Sequence, residues 1–107
     1  MNENAQILIT KNTFPEDIET NKFIDQNINL IKSQEGYKEI HIDKTSISGK
    51  KTHLHRFELN NKKYIQTYIT DKNIAYLITG ITTPDSPKEI DQEIIKTIKS
   101  FRLNKKP

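Results

Sequence analysis

A chain of 107 residues with a net charge of +3 has room for one hydrophobic core, and its lack of cysteine excludes disulfides, thiol catalysis and cysteine–zinc sites. Acidic residues interleave with lysines, as in Lys22/Asp25, Asp43/Lys44 and Lys88/Glu89/Asp91, while Lys105-Lys106 forms a basic run at the end. That mixture reads as a solvated surface and speaks against nucleic acid as a partner, and no apolar run approaches the ~20 residues that span a bilayer.

The apolar residues fall into short periodic runs, which argues for a packed core rather than disorder. The polar start, Met1-Asn2-Glu3-Asn4, carries no secretory signal, so association with a membrane is expected only through a removed anchor. Residues 5–11 contain Ile7-Leu8-Ile9 and read as a buried strand that Phe14-Pro15 ends. Thr20 is the expected N-cap of a helix over residues 20–35. Phe23, Ile24, Ile28 and Ile31, with Leu30 beside them, mark its buried face, and Gly36 follows where a left-handed residue is wanted.

Residues 38–82 read as a four-strand meander. Ile40 and Ile42 alternate with His41 and Asp43, Ser48-Gly49-Lys50 turns the chain, and Phe57 and Leu59 alternate with Arg56 and Glu58. Matching the apolar faces sets Ile42 against Phe57 and Ile40 against Leu59, with Asp43 beside Arg56 and His41 beside Glu58. Asn60-Asn61-Lys62 and Asp71-Lys72-Asn73 supply the later turns. Between them Tyr64 and Tyr68 face away from Ile65 and Ile69. The last strand, with Ile74, Tyr76 and Ile78 on one face and Ala75, Leu77 and Ile81 on the other, is apolar on both faces and is expected at the centre of the sheet. Ser86-Pro87-Lys88-Glu89 has the form of a capping box opening a helix over residues 86–102, whose buried stripe is Ile90, Ile94, Ile98 and Phe101 with Ile95 beside it. The expected class is α+β, an antiparallel sheet flanked by two helices in the order β-α-β-β-β-β-α, in one domain.

This order, with Gly36-Tyr37 after the first helix, Ser48-Gly49 in the first hairpin, the aromatic strand Tyr64 to Thr70, Tyr76-Leu77-Ile78-Thr79-Gly80 and the closing Ile98-Lys99-Ser100-Phe101-Arg102, resembles the PsbP-like superfamily. Within it the likeness is to small prokaryotic lipoproteins and Eag-type secretion chaperones. The resemblance implies an α/β/α sandwich and a domain that binds or scaffolds a protein without doing chemistry. Family members usually begin with two further strands, so the first strand here is expected either to have lost neighbours or to present an open edge, available to a partner or to a second copy in a homodimer.

The chemistry available to the residues is sparse. His53 and His55 share a strand face while His41 points to the other, which makes a poor metal site. The His41, Glu58, Asp43 and Arg56 group reads as a cross-strand charge ladder, and three glycines supply no phosphate loop. No catalytic residue, metal or cofactor is expected. The expected interaction surface is Tyr64, Tyr68 and Tyr76 together with Ile7 and Ile9, in an exported or lipid-anchored protein. A cytoplasmic chaperone for a secretion-system effector and a small-molecule or metal-binding module are the alternatives.

Overall fold

The structure is a computed structural model describing residues 5–102; Lys105-Lys106 and the Met1–Asn4 start lie outside the described residues. Its elements run β1 (Gln6–Thr13), α1 (Thr20–Lys32), β2 (Lys38–Ile47), β3 (Lys50–Leu59), β4 (Lys62–Asp71), β5 (Ile74–Thr82) and α2 (Lys88–Lys99). The five strands form one antiparallel sheet in the order β1-β5-β4-β3-β2. This is the α+β arrangement the sequence leads one to expect. The meander β2–β5 is laid down by successive hairpins, and β1 closes it at the far side by pairing Gln6 with Ile81 through to Thr13 with Ile74. The central strand is therefore β4 and not β5 as expected; β5 lies between it and β1, with Thr79 and Ile81 on one of its faces still partly exposed.

Tight turns set the registers. Ser48 and Gly49 have φ of 53° and 76°, and Asn60 and Asn61 have 54° and 62°, the left-handed pair that a type I′ hairpin needs. The first of these turns pairs Ile47 with Lys50, so Ile42 meets His55, Asp43 meets Leu54 and His41 meets Arg56. The expected pairing of Ile42 with Phe57 is thus two residues out of register. A slip of two leaves the side chains on their own faces, so the facing holds while the direct partners change; Arg56 still reaches Asp43 diagonally, as expected, at 3.3 Å. A bulge between Glu39 and His41 also throws Ile40 outward, where it is 44% exposed instead of packing inside.

One helix lies against each face of the sheet. On the first face α2 buries Ile94 and Ile98 against Ile47, Leu54, Ile65, Ile69 and Ile78. Gly80 is required here by contact: a methyl group in place of its hydrogen would run into Cγ2 of Ile94. On the second face α1 buries Ile24 and Ile28 over Tyr68, with Phe23, Ile42 and Leu77 packed beside them. Phe14 is buried as well and stacks on Phe23 with ring centres 4.4 Å apart, fastening the β1–α1 connection to the helix.

The caps differ in detail from the sequence pattern. Glu19, not Thr20, occupies the N-cap of α1, and no side chain caps that end. Pro87 occupies the N-cap of α2, so the expected capping box of Ser86 and Glu89 does not form. Ser86 instead donates to Asp91 Oδ1 at 2.9 Å, while Lys63 Nζ donates to Asp91 Oδ2 at 2.6 Å. This nearly buried ion pair ties the first turns of α2 to β4.

Candidate functional site

The expected interaction residues do not form one surface. Alternation along the paired strands puts Ile7, Ile9 and Tyr76 on the α2 face and Tyr64 and Tyr68 on the α1 face. Tyr68 is a correction: it has no exposed surface, because α1 lies directly over it, and burial raises its phenol well above the usual range. Tyr76 is half-buried against Phe101, and Ile7 packs against the α2-side core. Ile9 remains 56% exposed, and its neighbour Leu8, which the sequence reading passed over, is 50% exposed on the opposite face.

The two edges of the sheet are built differently. Along β2 the edge carries Lys38, Glu39, His41, Asp43 and Lys44 and is broken by the bulge, devices that discourage strand addition. The edge of β1 from Gln6 to Thr10 has no charge, no proline and no register shift, and among the described residues it pairs only with β5. Beside it, on the α1 face, the helix leaves part of the sheet open. Leu8, Thr79 and Gln66 form one cross-strand row there, and Ile81, Tyr64 and Phe57 form the next. All but Phe57 retain exposed surface, whereas Tyr68 under the helix retains none. Gln66 spans the row, donating to Thr79 Oγ1 at 2.8 Å and accepting from the Tyr68 hydroxyl at 3.3 Å.

At the β3 end of this face Tyr37, His55, Phe57 and Tyr64 make an aromatic cluster, with Phe57 stacked on Tyr64 at 5.1 Å. The Tyr37 hydroxyl lies 2.8 Å from His55 Nε2 and donates to Glu39 Oε1 at 3.3 Å, and Glu39 pairs with Lys32 Nζ at 3.2 Å. With the phenol proton directed at Glu39, the imidazole donates through Nε2, and its buried Nδ1 has no hydrogen-bond partner among the described residues. Burial pushes His55 down to about 4 and, with Glu39 adding to it, pushes Tyr37 up to about 12. The Lys32 ammonium holds Glu39 below its ordinary value. A weakly basic imidazole and a reluctant phenol, both engaged, suit a lock that fastens the α1–β2 connection to β3 and are poorly poised for proton transfer near neutral pH.

His53 shares the face of His55, and His41 lies on the other side beside Asp43, which also accepts from Arg56 at 3.3 Å. Among the described residues no three histidine, cysteine or acidic side chains are placed to hold a metal ion. No described helix is long and apolar enough to cross a membrane.

The fold and this surface define a class: an antiparallel five-stranded sheet with a helix on each face, one guarded edge and one unguarded edge. No protein-family model and no curated protein matches the sequence. Among solved structures the chain is similar to the crystal structure of protein PA94 from Pseudomonas aeruginosa, a protein of unknown function assigned only provisionally as a regulator. The two share 15% identity with a TM-score of 0.81 over 95% of this chain and 74% of that one, a likeness of fold.

Proposed function

We propose that this domain is a non-enzymatic binding module that holds an apolar segment of a partner protein along β1 and the adjoining open strip of the sheet. The observation that carries the reading is the contrast between the edges: β2 is charged and bulged, while the outer side of β1 pairs with no described strand and is flanked by Leu8 and Ile9, each at least half exposed. An extended segment added there gains main-chain hydrogen bonds, and the exposed apolar side chains on both faces supply contact area. Tyr64, Thr79 and Ile81 extend the contact inward on one face.

The PsbP-like resemblance supplies two settings for this binding. The first is an exported or lipid-anchored prokaryotic protein that scaffolds a partner. The second is a cytoplasmic Eag-type chaperone that shields apolar segments of a secreted effector, a reading that the exposed Leu8 and Ile9 favour because they ask for an apolar partner. Photo-crosslinking in the native host tests the shared core of the proposal, with a benzophenone residue at position 8 or, as a control, at position 41 on the guarded edge. A discrete protein adduct from position 8, lost on Ile9→Lys and absent from position 41, is expected; equal adducts from both positions overturn the reading. The cell fraction that carries the adduct separates the two settings.

A further inference from the structure

A second feature lies away from the β1 edge, where the interleaving of charge fails. From Lys44 to Phe57 the chain contains Lys44, Lys50, Lys51 and Arg56 and no acidic residue. Arg56 is matched by Asp43 on the α2 face, and no ion pair links the lysines to a described residue. In the sequence these lysines are spaced among hydroxyl residues and histidines, and only the hairpin sets Lys44 and Lys51 as diagonal neighbours on one face.

The structure places them on a cavity. Between α1 and the β2–β3 hairpin lies an open groove of about 760 Å³, lined by Asn21 and Asp25 from the helix and by Lys44, Thr45, Ser46, Lys51, Thr52 and His53 from the hairpin. That volume falls within the usual range of small-ligand sites. Asn21 and Asp25 are one helical turn apart and so present together on α1. Lys44 and His53 are direct cross-strand partners, and so are Ser46 and Lys51, all on the α1 face. Nδ1 of His53 is shielded from solvent and has no hydrogen-bond partner among the described residues, which leaves Nε2 as the atom able to donate outward. Positive charge therefore outweighs negative around the groove, Lys44 and Lys51 standing against Asp25, the single carboxylate on its wall.

We propose that this groove binds a small hydroxylated organic anion, its carboxylate or phosphate group held by Lys44, Lys51 and His53 and its hydroxyl groups turned toward Asn21 and Asp25. Lysine ammonium groups recognise either anion as point charges, and the carboxylate opposite them selects a hydroxyl donor at the other end of the ligand. This site is separate from the β1 edge, and the partner-binding reading stands or falls without it.

The test is a titration of the whole chain with citrate and with glycerol 3-phosphate, followed through its backbone amide resonances, with glycerol as the uncharged control. Saturable shifts confined to Asn21, Asp25, Lys44–Ser46 and Lys51–His53 are expected, with binding about tenfold or more weaker in the exposed-surface variant Lys44→Gln/Lys51→Gln. The variant Lys62→Gln/Lys96→Gln, which removes two exposed lysines elsewhere, is expected to bind as the parent does. Shifts that never saturate, or that persist undiminished in Lys44→Gln/Lys51→Gln, overturn the proposal. So does association with phosphatidylglycerol vesicles without binding of either soluble anion.

Discussion

The buried imidazole of His55 makes folding stability depend on pH in a direction the structure fixes. His55 has no exposed surface, and burial lowers it from 6.5 to about 4. An unfolded chain takes up a proton on this ring near 6.5, whereas the folded chain resists it until about pH 4. Stability from this group is therefore complete above 6.5, falls as pH drops through that value and is gone once pH passes the folded value. The drop of 6.5 to about 4 corresponds to about 3 kcal/mol, a large share of the ~5–15 kcal/mol that holds a domain together. Urea unfolding at about pH 7.5 and about pH 4, on the parent and on His55→Phe, isolates the term, because phenylalanine keeps a ring against Phe57 and cannot titrate. The parent is expected to lose about 2–3 kcal/mol more than the variant over that interval. Equal losses, or a His55 ring resonance that titrates near 6.5 in the folded protein, refute the reasoning.

Other consequences can be checked with the same unfolding assay. Asp91→Ala leaves the Lys63 ammonium nearly buried without its partner and is expected to cost about 3 kcal/mol, most of it recovered when Lys63→Met is added. Gly80→Ala drives a methyl group into Ile94 and is expected to cost about 1–3 kcal/mol, relieved by Ile94→Leu, which removes the γ2 methyl that is struck. Lys72 holds a φ of 57° in the β4–β5 turn, so Lys72→Gly relieves left-handed strain and is expected to raise stability by about 0.5–1 kcal/mol. Ile9→Lys, at a position 56% exposed, is expected to change stability by no more than about 0.5 kcal/mol while abolishing the crosslink at position 8.

Alternation within each strand was enough to assign faces, and the isoleucine stripes of both helices were legible because 3.6-residue periodicity survives in a single sequence. Pairing partners were harder. The registers of β2 and β3 hang on whether the loop holds two residues or more, and only the left-handed φ at both Ser48 and Gly49 decides that. The position of β1 beside β5 depends on a contact between segments far apart in the chain, which no local pattern encodes. The surface suffered for the same reason. Tyr64 and Tyr68 share a face and look equivalent in sequence, but α1 covers one and stops short of the other. Leu8 looked like core because it sits between isoleucines, and its exposure follows from being on an edge strand. Lys44 and Lys51 come to one face of the sheet only when the hairpin closes, each paired with another residue across it.

The placement of β1 also bears on how the molecule is assembled in time. The strands β2 to β5 join through neighbouring hairpins, and α2 follows β5 directly, so that half can form through contacts close together in sequence. β1 must instead find Ile74–Thr82, far along the chain, and it contributes mostly exposed side chains there. The strand whose pairing spans the most chain, with most of its side chains exposed, is then expected to be among the first to open, and it is the edge proposed above to receive a partner. A segment bound along β1 would act on that equilibrium directly, adding a second ladder of hydrogen bonds to a strand already paired with β5 along its whole length.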